Sequence, residues 1–214
     1  MNKPPRTGSR APAPARAAGS VRIIGGRWRG TRLEVADVAG LRPTSDRMRE
    51  TLFNWLQPVL PGSRVLDLFA GSGALGLEAV SRGAASAVLV ERDPRQAGSL
   101  RTAVGRLQAA SEVVVVEDDA LRWLSAAAGA EAFDIAFVDP PFAVGLWQPA
   151  LQALLPRLAA DGWLYVESPP EQVPAPPPGW SLHRQLRTAQ AHAALYRGPG
   201  RGGADTLASA NPAR

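Results

Sequence analysis

Residues 65–76 read VLDLFAGSGALG, an apolar run that leads into three closely spaced glycines. Glycine lets the backbone turn tightly and approach a ligand at the first turn of a following helix. The pattern Gly71-x-Gly73-x-x-Gly76 fits more than one kind of nucleoside-binding loop. Each kind calls for an acid at the end of the second strand to hold ribose hydroxyls, and Glu91 lies there. The stretch therefore predicts an α/β fold with a nucleoside ligand.

Strand-like and helical segments alternate from residue 63 onward. The apolar runs cover 64–69, 86–91, 113–117, 134–138 and 162–167, and helices are expected near 73–82, 94–109, 119–128 and 146–158. Near-continuous apolar strands separated by helices are typical of a parallel sheet covered on both faces. Trp180–Leu186 and Ala191–Arg197 are predicted to add an antiparallel hairpin at the edge. Residues 63–197 are thus expected to form one domain, a Rossmann-like, mostly parallel seven-stranded sheet.

Residues 21–62 are predicted to form a separate N-terminal arm. Two short strands are expected around a Gly25-Gly26 turn, followed by a helix over 44–57 with Thr44 as its N-cap. Its apolar stripe should face the core, while Arg47 and Arg49 should point elsewhere. The stripe consists of Met48, Leu52, Trp55, Leu56 and Val59. Residues 1–20 and 198–214 are low in complexity and are expected to be disordered tails.

The charge of the chain is distributed unevenly. The net charge is +5, yet residues 1–20 carry four basic and no acidic side chains. Residues 21–49 carry seven arginines against three acids, whereas residues 50–197 carry eleven basic and fifteen acidic side chains. A basic N-terminal quarter on a mildly acidic body is typical of an enzyme with an arm that binds a polyanion. The alternative is an arginine-rich surface that serves only solvation.

The composition excludes several kinds of site. The chain has no cysteine and two histidines, so it can form neither disulfides nor zinc–thiolate sites, and we expect no bound metal. No apolar stretch is long enough to span a membrane. We therefore expect a cytoplasmic protein without membrane contacts.

Asp139-Pro-Pro-Phe142 follows the strand-like run at 135–138. Proline has no amide proton and does not fit a central strand, so the backbone must leave the sheet here. Asp139 and the Pro140 carbonyl are then a pair of hydrogen-bond acceptors, with the Phe142 ring beside them. Such a site suits an amino group on an aromatic ring, which indicates a nucleobase.

Two features favour S-adenosylmethionine over a dinucleotide. Asp67 lies in an otherwise apolar strand end, where a buried carboxylate needs a partner such as the amino-acid end of this cofactor. The Asp139 motif lies on the same carboxyl edge of the sheet, where a nicotinamide enzyme has no use for it. Asp119, after the third strand, can accept the adenine amino group, cap the next helix, or do both.

These motifs together resemble the amino-methylating branch of the Rossmann-like methyltransferases that use S-adenosylmethionine. Residues 22–30, RIIGGRWRG, and 41–56, LRPTSDRMRETLFNWL, are similar to blocks of the bacterial 16S rRNA guanine-N2 methyltransferase family. Tyr165-Val-Glu-Ser168 and the block 180–184 extend the resemblance, which covers residues 21–197.

The resemblance implies a role for each matching residue. Asp67, Phe69, Gly71 and Gly73 would line the cofactor, Glu91 would hold its ribose, and Asp119 its adenine. Asp139 and Pro140 would grip the guanine N2 amine, with Phe142 stacked on the base. The arm would bind small-subunit rRNA, free or in the assembled subunit, and the protein would act as a monomer. The arginines that would contact RNA are Arg22, Arg27, Arg29, Arg42 and Arg47.

Three alternatives stay open at this point. The same tetrapeptide can hold the amine of adenine or cytosine in DNA, although no segment is large enough for a DNA-reading module. A protein-glutamine methyltransferase would be expected to carry Asn in place of Asp139. A non-catalytic RNA-binding assembly factor on the same fold is the third, and the intact glycine loop beside an intact Asp139 motif argues against it.

Overall fold

The computed structural model describes residues 19–35, 45–126, 132–141 and 145–200. The strands are β1 (Gly19–Arg22), β2 (Arg32–Val35), β3 (Arg64–Asp67), β4 (Ser86–Glu91), β5 (Val113–Glu117), β6 (Phe133–Val138), β7 (Leu158–Ser168), β8 (Ser181–Arg187) and β9 (His192–Arg197). The helices are α1 (Asp46–Leu56), α2 (Ala74–Ser81), α3 (Pro94–Arg106), α4 (Ala120–Ala126) and α5 (Trp147–Leu154). None of the helices in these ranges is long and apolar enough to cross a membrane.

Seven strands form one sheet in the order β5-β4-β3-β6-β7-β9-β8. The pairs from β5 to β7 are parallel, and β9 and β8 are antiparallel additions at the edge. The predicted Rossmann-like, mostly parallel sheet with an edge hairpin is confirmed. The chain runs outward from β3 through β4 to β5 and then returns to β6 on the other side of β3. The strand order therefore reverses between β3 and β6, which is where open α/β sheets bind ligands.

Each face of the sheet has its own apolar core. One core packs α1, α2, α3 and the arm against side chains such as Val65, Ile135, Phe137 and Tyr165. The other packs α4 and α5 against side chains such as Leu66 and Val138. Alternate residues of one strand thus enter opposite cores, as the two-residue period of a strand requires. Burial on both faces explains why these strands are apolar throughout.

Helix α1 begins one residue later than the sequence suggested. Ser45 is its N-cap, since its hydroxyl accepts a hydrogen bond from the Met48 amide, whereas Thr44 lies outside the described residues. The predicted stripe is buried at Met48, Leu52 and Leu56. The prediction for Arg49 was wrong, because its side chain is completely buried. Its burial depends on partners far away in the sequence, which helical periodicity cannot show.

The arm also differs from the predicted hairpin. Strands β1 and β2 form a separate antiparallel pair, with Arg22 opposite Arg32, and residues 23–31 connect them. Gly25-Gly26 is therefore not a two-residue turn between strands. Instead it approaches the end of α2 so closely that a Cβ on Gly26 would lie 1.9 Å from the Ser81 carbonyl oxygen. Ser81 fixes this connection, since its hydroxyl donates to the Gly25 carbonyl.

Some element ends fall inside segments that were predicted to be tails or loops. Strand β1 starts at Gly19, and the Gly198 and Gly200 amides donate to carbonyls of residues 162 and 160, so residues 19–20 and 198–200 belong to the folded part of the chain. Helix α5 stops at Leu154 rather than 158, because a 3-10 turn containing Pro156 follows it. Residues 1–18 and 201–214 lie outside the described residues.

The two edges of the sheet are different. Strand β8 is exposed along most of its length, and its pairing with β9 shifts register between Leu182 and Arg184. Strand β5 is mostly valine, and Val114 is 56% exposed. Glu112 and Glu117 lie at its two ends.

Candidate active site

The carboxyl ends of β3 and β6 meet at the reversal of strand order. Asp67 and Phe137 are partners in the register of these two strands. The glycine loop follows β3 directly, and Asp139-Pro140 follows β6 directly. The Leu68 amide donates to the Phe137 carbonyl (3.1 Å) and so continues the ladder one residue beyond β3. The two predicted halves of the site are therefore neighbours at one edge.

The glycine loop adopts a conformation that suits glycine. Gly71 and Gly73 have φ values of +50° and +75°, in the left-handed region that side chains disfavour. Gly73 is the N-cap of α2 and has no side chain to cap it. A Cβ on Gly73 would also lie 2.6 Å from the Leu100 side chain. Gly71 and Gly73 therefore place no side chain between the loop backbone and a ligand at the first turn of α2.

Asp67 is buried at the end of β3, and few polar groups offset the loss of hydration of its carboxylate. Its Oδ2 accepts a hydrogen bond from the Gly76 amide (2.9 Å), and the residue is 2% exposed. Burial raises the pKa of Asp67 to about 7; the Gly76 amide opposes this rise and the nearby Glu91 adds to it. Within the described part of the chain, no arginine or lysine forms an ion pair with Asp67. A cationic ligand would therefore be stabilised here.

Glu91 ties the end of β4 to the glycine loop. Its Oε2 accepts from the Gly71 amide (2.9 Å) and its Oε1 from the Asp93 amide (2.7 Å). Burial raises the pKa of Glu91, while these two amides oppose the rise. The side chain is held beside the loop with a backbone amide on each oxygen.

Asp119 caps α4. Its Oδ1 accepts from the amides of Leu121 (3.0 Å) and Arg122 (3.2 Å). The capping interpretation is confirmed, and a role toward adenine stays a prediction. Phe69, which was also predicted to line the cofactor, is half-buried and packs against the core that contains α4 and α5.

Asp139 and Pro140 leave the sheet where β6 ends, as predicted. Asp139 is half-buried and Pro140 is buried. Phe142, the predicted stacking partner, lies outside the described residues. Helix α1 lies over this part of the sheet, since the Phe53 ring meets the Phe137 ring edge to face at 6.1 Å. The arm therefore helps to cover the strand that presents Asp139.

Two residues of β7 stand beside this strand and were not assigned a role from the sequence. The Tyr165 hydroxyl donates to Glu167 Oε2 (2.9 Å), and the Tyr165 ring packs edge to face on Phe137 at 6.1 Å. Glu167 is 6% exposed. An acid at the carboxyl end of a predicted strand, two residues after a tyrosine, was a usable signal, because Asp67, Glu91 and Asp139 all lie at such ends.

The arm is anchored by a buried ionic network. Arg49 donates to Glu78 Oε2 (3.1 Å), to Asp46 Oδ1 (2.7 Å) and to the Arg22 carbonyl (2.7 Å). Arg82 donates twice to Glu78 Oε1, at 2.9 and 2.7 Å. Arg49 and Glu78 are both fully buried. The network joins β1, α1 and α2 and so fixes the arm relative to the glycine loop.

The predicted RNA-binding arginines are not equivalent. Arg22 and Arg32 line one depression, and Arg22 and Arg29 line a second; Arg32 was not among the arginines predicted from the sequence. Arg27 forms an ion pair with Glu112 and lies over the Trp28 ring at 4.3 Å. Arg47 is exposed on α1, whereas Arg42 lies outside the described residues.

Comparison with known sequences points to one family. A family model described as conserved hypothetical protein 95 matches residues 21–197. The ribosomal RNA small subunit methyltransferase D of Escherichia coli K12 is 44% identical over 208 residues, which cover 96% of this chain and 99% of that protein. The protein of the same name from Haemophilus influenzae is 39% identical over 184 residues, 85% of this chain and 95% of that one.

Solved structures agree with this result. A putative methyltransferase, yhhF, from Escherichia coli superposes with a TM-score of 0.77 at 45% identity, covering 86% of this chain and all of that one (100%). An RNA methyltransferase from Salinibacter ruber in complex with S-adenosyl-L-homocysteine has a TM-score of 0.56 at 15% identity, covering 75% and 95%. At that identity the likeness concerns the fold alone.

Proposed function

This chain belongs to the family of ribosomal RNA small subunit methyltransferase D, and we propose that it methylates the exocyclic N2 amine of one guanosine in 16S rRNA. S-adenosylmethionine is the proposed methyl donor. The observation that supports this most directly is the meeting of the glycine loop and Asp139-Pro140 at the reversal of strand order. A donor site and an acceptor site for an amine are thereby adjacent on one edge of the sheet.

The residues at the donor site fit this cofactor. The left-handed Gly71 and Gly73 leave room for its amino-acid end and ribose, and Asp67 offers a buried carboxylate to its positive charge. Glu91 would hold the ribose hydroxyls, with its carboxylate fixed beside the loop by the Gly71 and Asp93 amides. When bound, the cofactor supplies an electrophilic methyl group on a sulfonium.

Asp119 and Phe69 complete the proposed donor site. Asp119 would accept the adenine amino group while it continues to cap α4, since its two capping bonds both use Oδ1. Phe69 is half-buried at the start of the glycine loop and would offer its ring as a wall of the same site.

At the acceptor site, Asp139 and the Pro140 carbonyl would accept hydrogen bonds from the N2 amine of guanine. The N2 lone pair of guanine is delocalised into the ring and is a poor nucleophile. Two acceptors on its hydrogens favour a tetrahedral nitrogen, and they stabilise the positive charge that develops during transfer. Holding the amine in line with the methyl group supplies much of the remaining acceleration. The proton leaves an already cationic amine, so Asp139 orients the amine and needs no unusual basicity.

The target base must leave its stack to reach Asp139, and unpaired rRNA loops allow this at low cost. Phe142 is the proposed stacking partner for the extruded base. Helix α1 already packs on β6 through Phe53 and Phe137, so the arm would close over the base from that side.

The arm is the proposed RNA-binding surface. Arg22, Arg29 and Arg32 line adjoining depressions beside β1 and β2, and Arg47 extends the basic surface along α1. Arg42 belongs to the same proposed surface. The substrate would be rRNA, either free or within the small subunit, and the protein would act on it as a monomer in the cytoplasm.

A transfer assay tests the proposal. Labelled S-adenosylmethionine would be offered with unmethylated rRNA, assembled small subunits and DNA, and the labelled nucleosides would then be identified. N2-methylguanosine from rRNA or small subunits is the expected product. Label in DNA adenine or cytosine would replace this proposal with the DNA alternative, and cofactor binding without any transfer would favour a non-catalytic assembly factor.

Asp139→Ala tests the acceptor site separately. We expect a loss of transfer of at least about a hundredfold with nearly unchanged cofactor affinity, because the residue faces the amine rather than the cofactor. Isothermal titration with S-adenosylhomocysteine and the transfer assay measure the two quantities. Equal turnover in the variant would remove Asp139 from the mechanism.

A further inference from the structure

Strand β7 places a second carboxylate at the level of Asp139. Val138 of β6 and Val166 of β7 are partners in a parallel register, so the next residues along the two strands are Asp139 and Glu167. Neighbouring strands lie about 4.8 Å apart. Two acids on adjacent strands at one carboxyl edge repel each other when both are ionised.

Tyr165 holds this second carboxylate in place. It lies two residues before Glu167, on the same face of β7, and donates its hydroxyl to Glu167 Oε2 (2.9 Å). Burial, Glu167 and Asp139 together raise the pKa of Tyr165 well above its usual value. Asp139 is level with Glu167 in the register, and Tyr165 lies two residues before Glu167, so the two-residue period of a strand places all three side chains on one face of the sheet. Because Glu167 is buried, a hydrogen bond that it accepts is stronger than one at the surface.

We propose that Glu167 accepts the N1–H of the target guanine and thereby selects guanine over the other bases that carry an exocyclic amine. This inference rests on the proposed function. Asp139 and the Pro140 carbonyl take the N2 amine, and Glu167 takes the adjacent donor on the same edge of the base. Tyr165 is a positioning residue that keeps the Glu167 carboxylate turned toward the base.

The chemistry of the bases explains the selectivity. In guanine, N1–H and the N2 amine are neighbouring donors, and each can bond to one of the two carboxylates. In adenine and in cytosine, the ring nitrogen beside the amine carries a lone pair instead of a hydrogen. That lone pair would face the carboxylate of Glu167, so a hydrogen bond would be replaced by repulsion between two acceptors, which recognition sites penalise strongly. The same pair of acids thus disfavours the bases of the DNA alternative.

2-Aminopurine separates the two acceptors experimentally, because it keeps the 2-amino group but has a lone pair at N1. The guanosine modified by the wild-type protein would be mapped first, and 2-aminopurine would then be placed there by RNA ligation. We expect the wild-type protein to methylate this RNA at least tenfold less efficiently than the guanosine RNA. In Glu167→Gln the amide can donate to N1 and can still accept from Tyr165, so the ratio of the two kcat/KM values should shift at least tenfold toward 2-aminopurine.

Asp161→Asn is the matched control. It removes an acid from an exposed position near the other end of the same strand and should leave the ratio unchanged. An unchanged ratio in Glu167→Gln, with both substrates slowed equally, would overturn the proposal and leave Glu167 a structural residue.

If Glu167→Gln does not fold, the same ratio of kcat/KM values is measured in Tyr165→Phe. Loss of the hydroxyl frees the carboxylate to turn away, so the ratio should shift in the same direction, and an unchanged ratio again overturns the proposal. If the wild-type protein forms no N2-methylguanosine at all, the proposed function fails instead, and that result is visible without any variant.

Discussion

Asp67 and Glu78 are both buried carboxylates next to α2, yet their surroundings are opposite. Glu78 accepts hydrogen bonds from Arg49 and Arg82, and Ile24 adds its amide. Asp67 receives a single amide hydrogen bond, and its pKa rises to about 7. The fold thus neutralises the acid that joins the arm to the body and leaves the acid beside the glycine loop short of positive charge. The difference is consistent with Glu78 as an anchor of the arm and with Asp67 as part of the proposed cofactor site.

Removing an anchor cation should have the largest effect on stability. In Arg49→Met the carboxylate of Glu78 stays buried with one cation fewer, so the free energy of unfolding should fall by about 3–5 kcal/mol. Chemical denaturation measures it. The matched control is Arg101→Met, which breaks the exposed pair with Glu117 and should cost about 1 kcal/mol or less. Equal losses would mean that the Arg49 network is not an anchor.

Gly76, whose amide donates a hydrogen bond to Asp67, provides the next test of stability and cofactor binding. A Cβ on Gly76 would lie 2.1 Å from the Leu89 side chain and 3.2 Å from the Asp67 Cβ. Gly76→Ala should therefore lower stability by about 1–3 kcal/mol through overpacking, and it should weaken cofactor binding by displacing the amide that holds Asp67.

Gly98→Ala is the control for that substitution. Gly98 lies within α3 and has open space around its added Cβ, so alanine there should stabilise the chain by about 0.5–1 kcal/mol. Calorimetry and S-adenosylhomocysteine titration compare the two variants. Cofactor binding by Gly76→Ala as tight as that of the wild-type chain would mean that the Gly76 amide does not position a cofactor-binding group.

The raised pKa of Asp67 predicts a pH dependence of folding. The folded chain keeps a proton on Asp67 up to about pH 7, whereas the unfolded chain releases it near the usual value of 3.8. This group's contribution to stability is therefore full below pH 4 and is lost as the pH rises to about 7, with a slope of at most about 1.4 kcal/mol per pH unit. Urea denaturation of the wild-type chain and Asp67→Asn between pH 5 and 7.5 should show this slope only in the former.

Cofactor binding should respond to pH in the opposite direction. The ammonium at the amino-acid end of S-adenosylhomocysteine favours an ionised carboxylate beside it, so affinity for this ligand should increase as Asp67 loses its proton. Subtracting the pH profile of Asp67→Asn removes the titration of the ligand's own amine. Identical profiles for the two proteins would mean that Asp67 does not touch the cofactor.

The smallest expected effect is on the salt dependence of RNA binding, and it compares two arginines of the arm, one of them in an ion pair. Arg27 is paired with Glu112, whereas the Arg29 side chain has no hydrogen bond or ion pair among the described residues. Arg29→Ala should reduce the salt dependence of RNA binding by about 0.7–0.9 in the log–log slope, and Arg27→Ala should change it little. Filter binding from 50 to 300 mM salt measures both slopes. A larger change of slope for Arg27→Ala than for Arg29→Ala would mean that Arg27, and not Arg29, contacts phosphate.

Prediction from the sequence succeeded where the information is local. The glycine loop, Glu91 and Asp139 each lie at the end of an apolar run, so strand order and strand ends were enough to bring them together. The N-cap role of Asp119 is local in the same sense. The strands, and the edge of the sheet at which the glycine loop, Glu91 and Asp139 meet, could therefore be predicted before any coordinates.

It failed where a residue depends on distant partners. Arg49 was expected on the surface, because its burial requires Glu78, which lies 29 positions away. Gly25-Gly26 has the composition of a turn, but its conformation is set by Ser81 at the end of α2. Glu167 ends a predicted strand, but its position level with Asp139 is visible only in the register of β7 against β6.

The two exposed edges of the sheet determine how readily the chain aggregates, both during folding and once folded. An exposed strand edge is a template on which a second chain can pair and aggregate. Arg184, Arg187 and a register shift oppose such pairing at β8. At β5 the protection comes from Glu112 and Glu117, charged gatekeepers at either end of a valine run. Substituting these two acids would therefore lower the concentration at which the protein stays in solution.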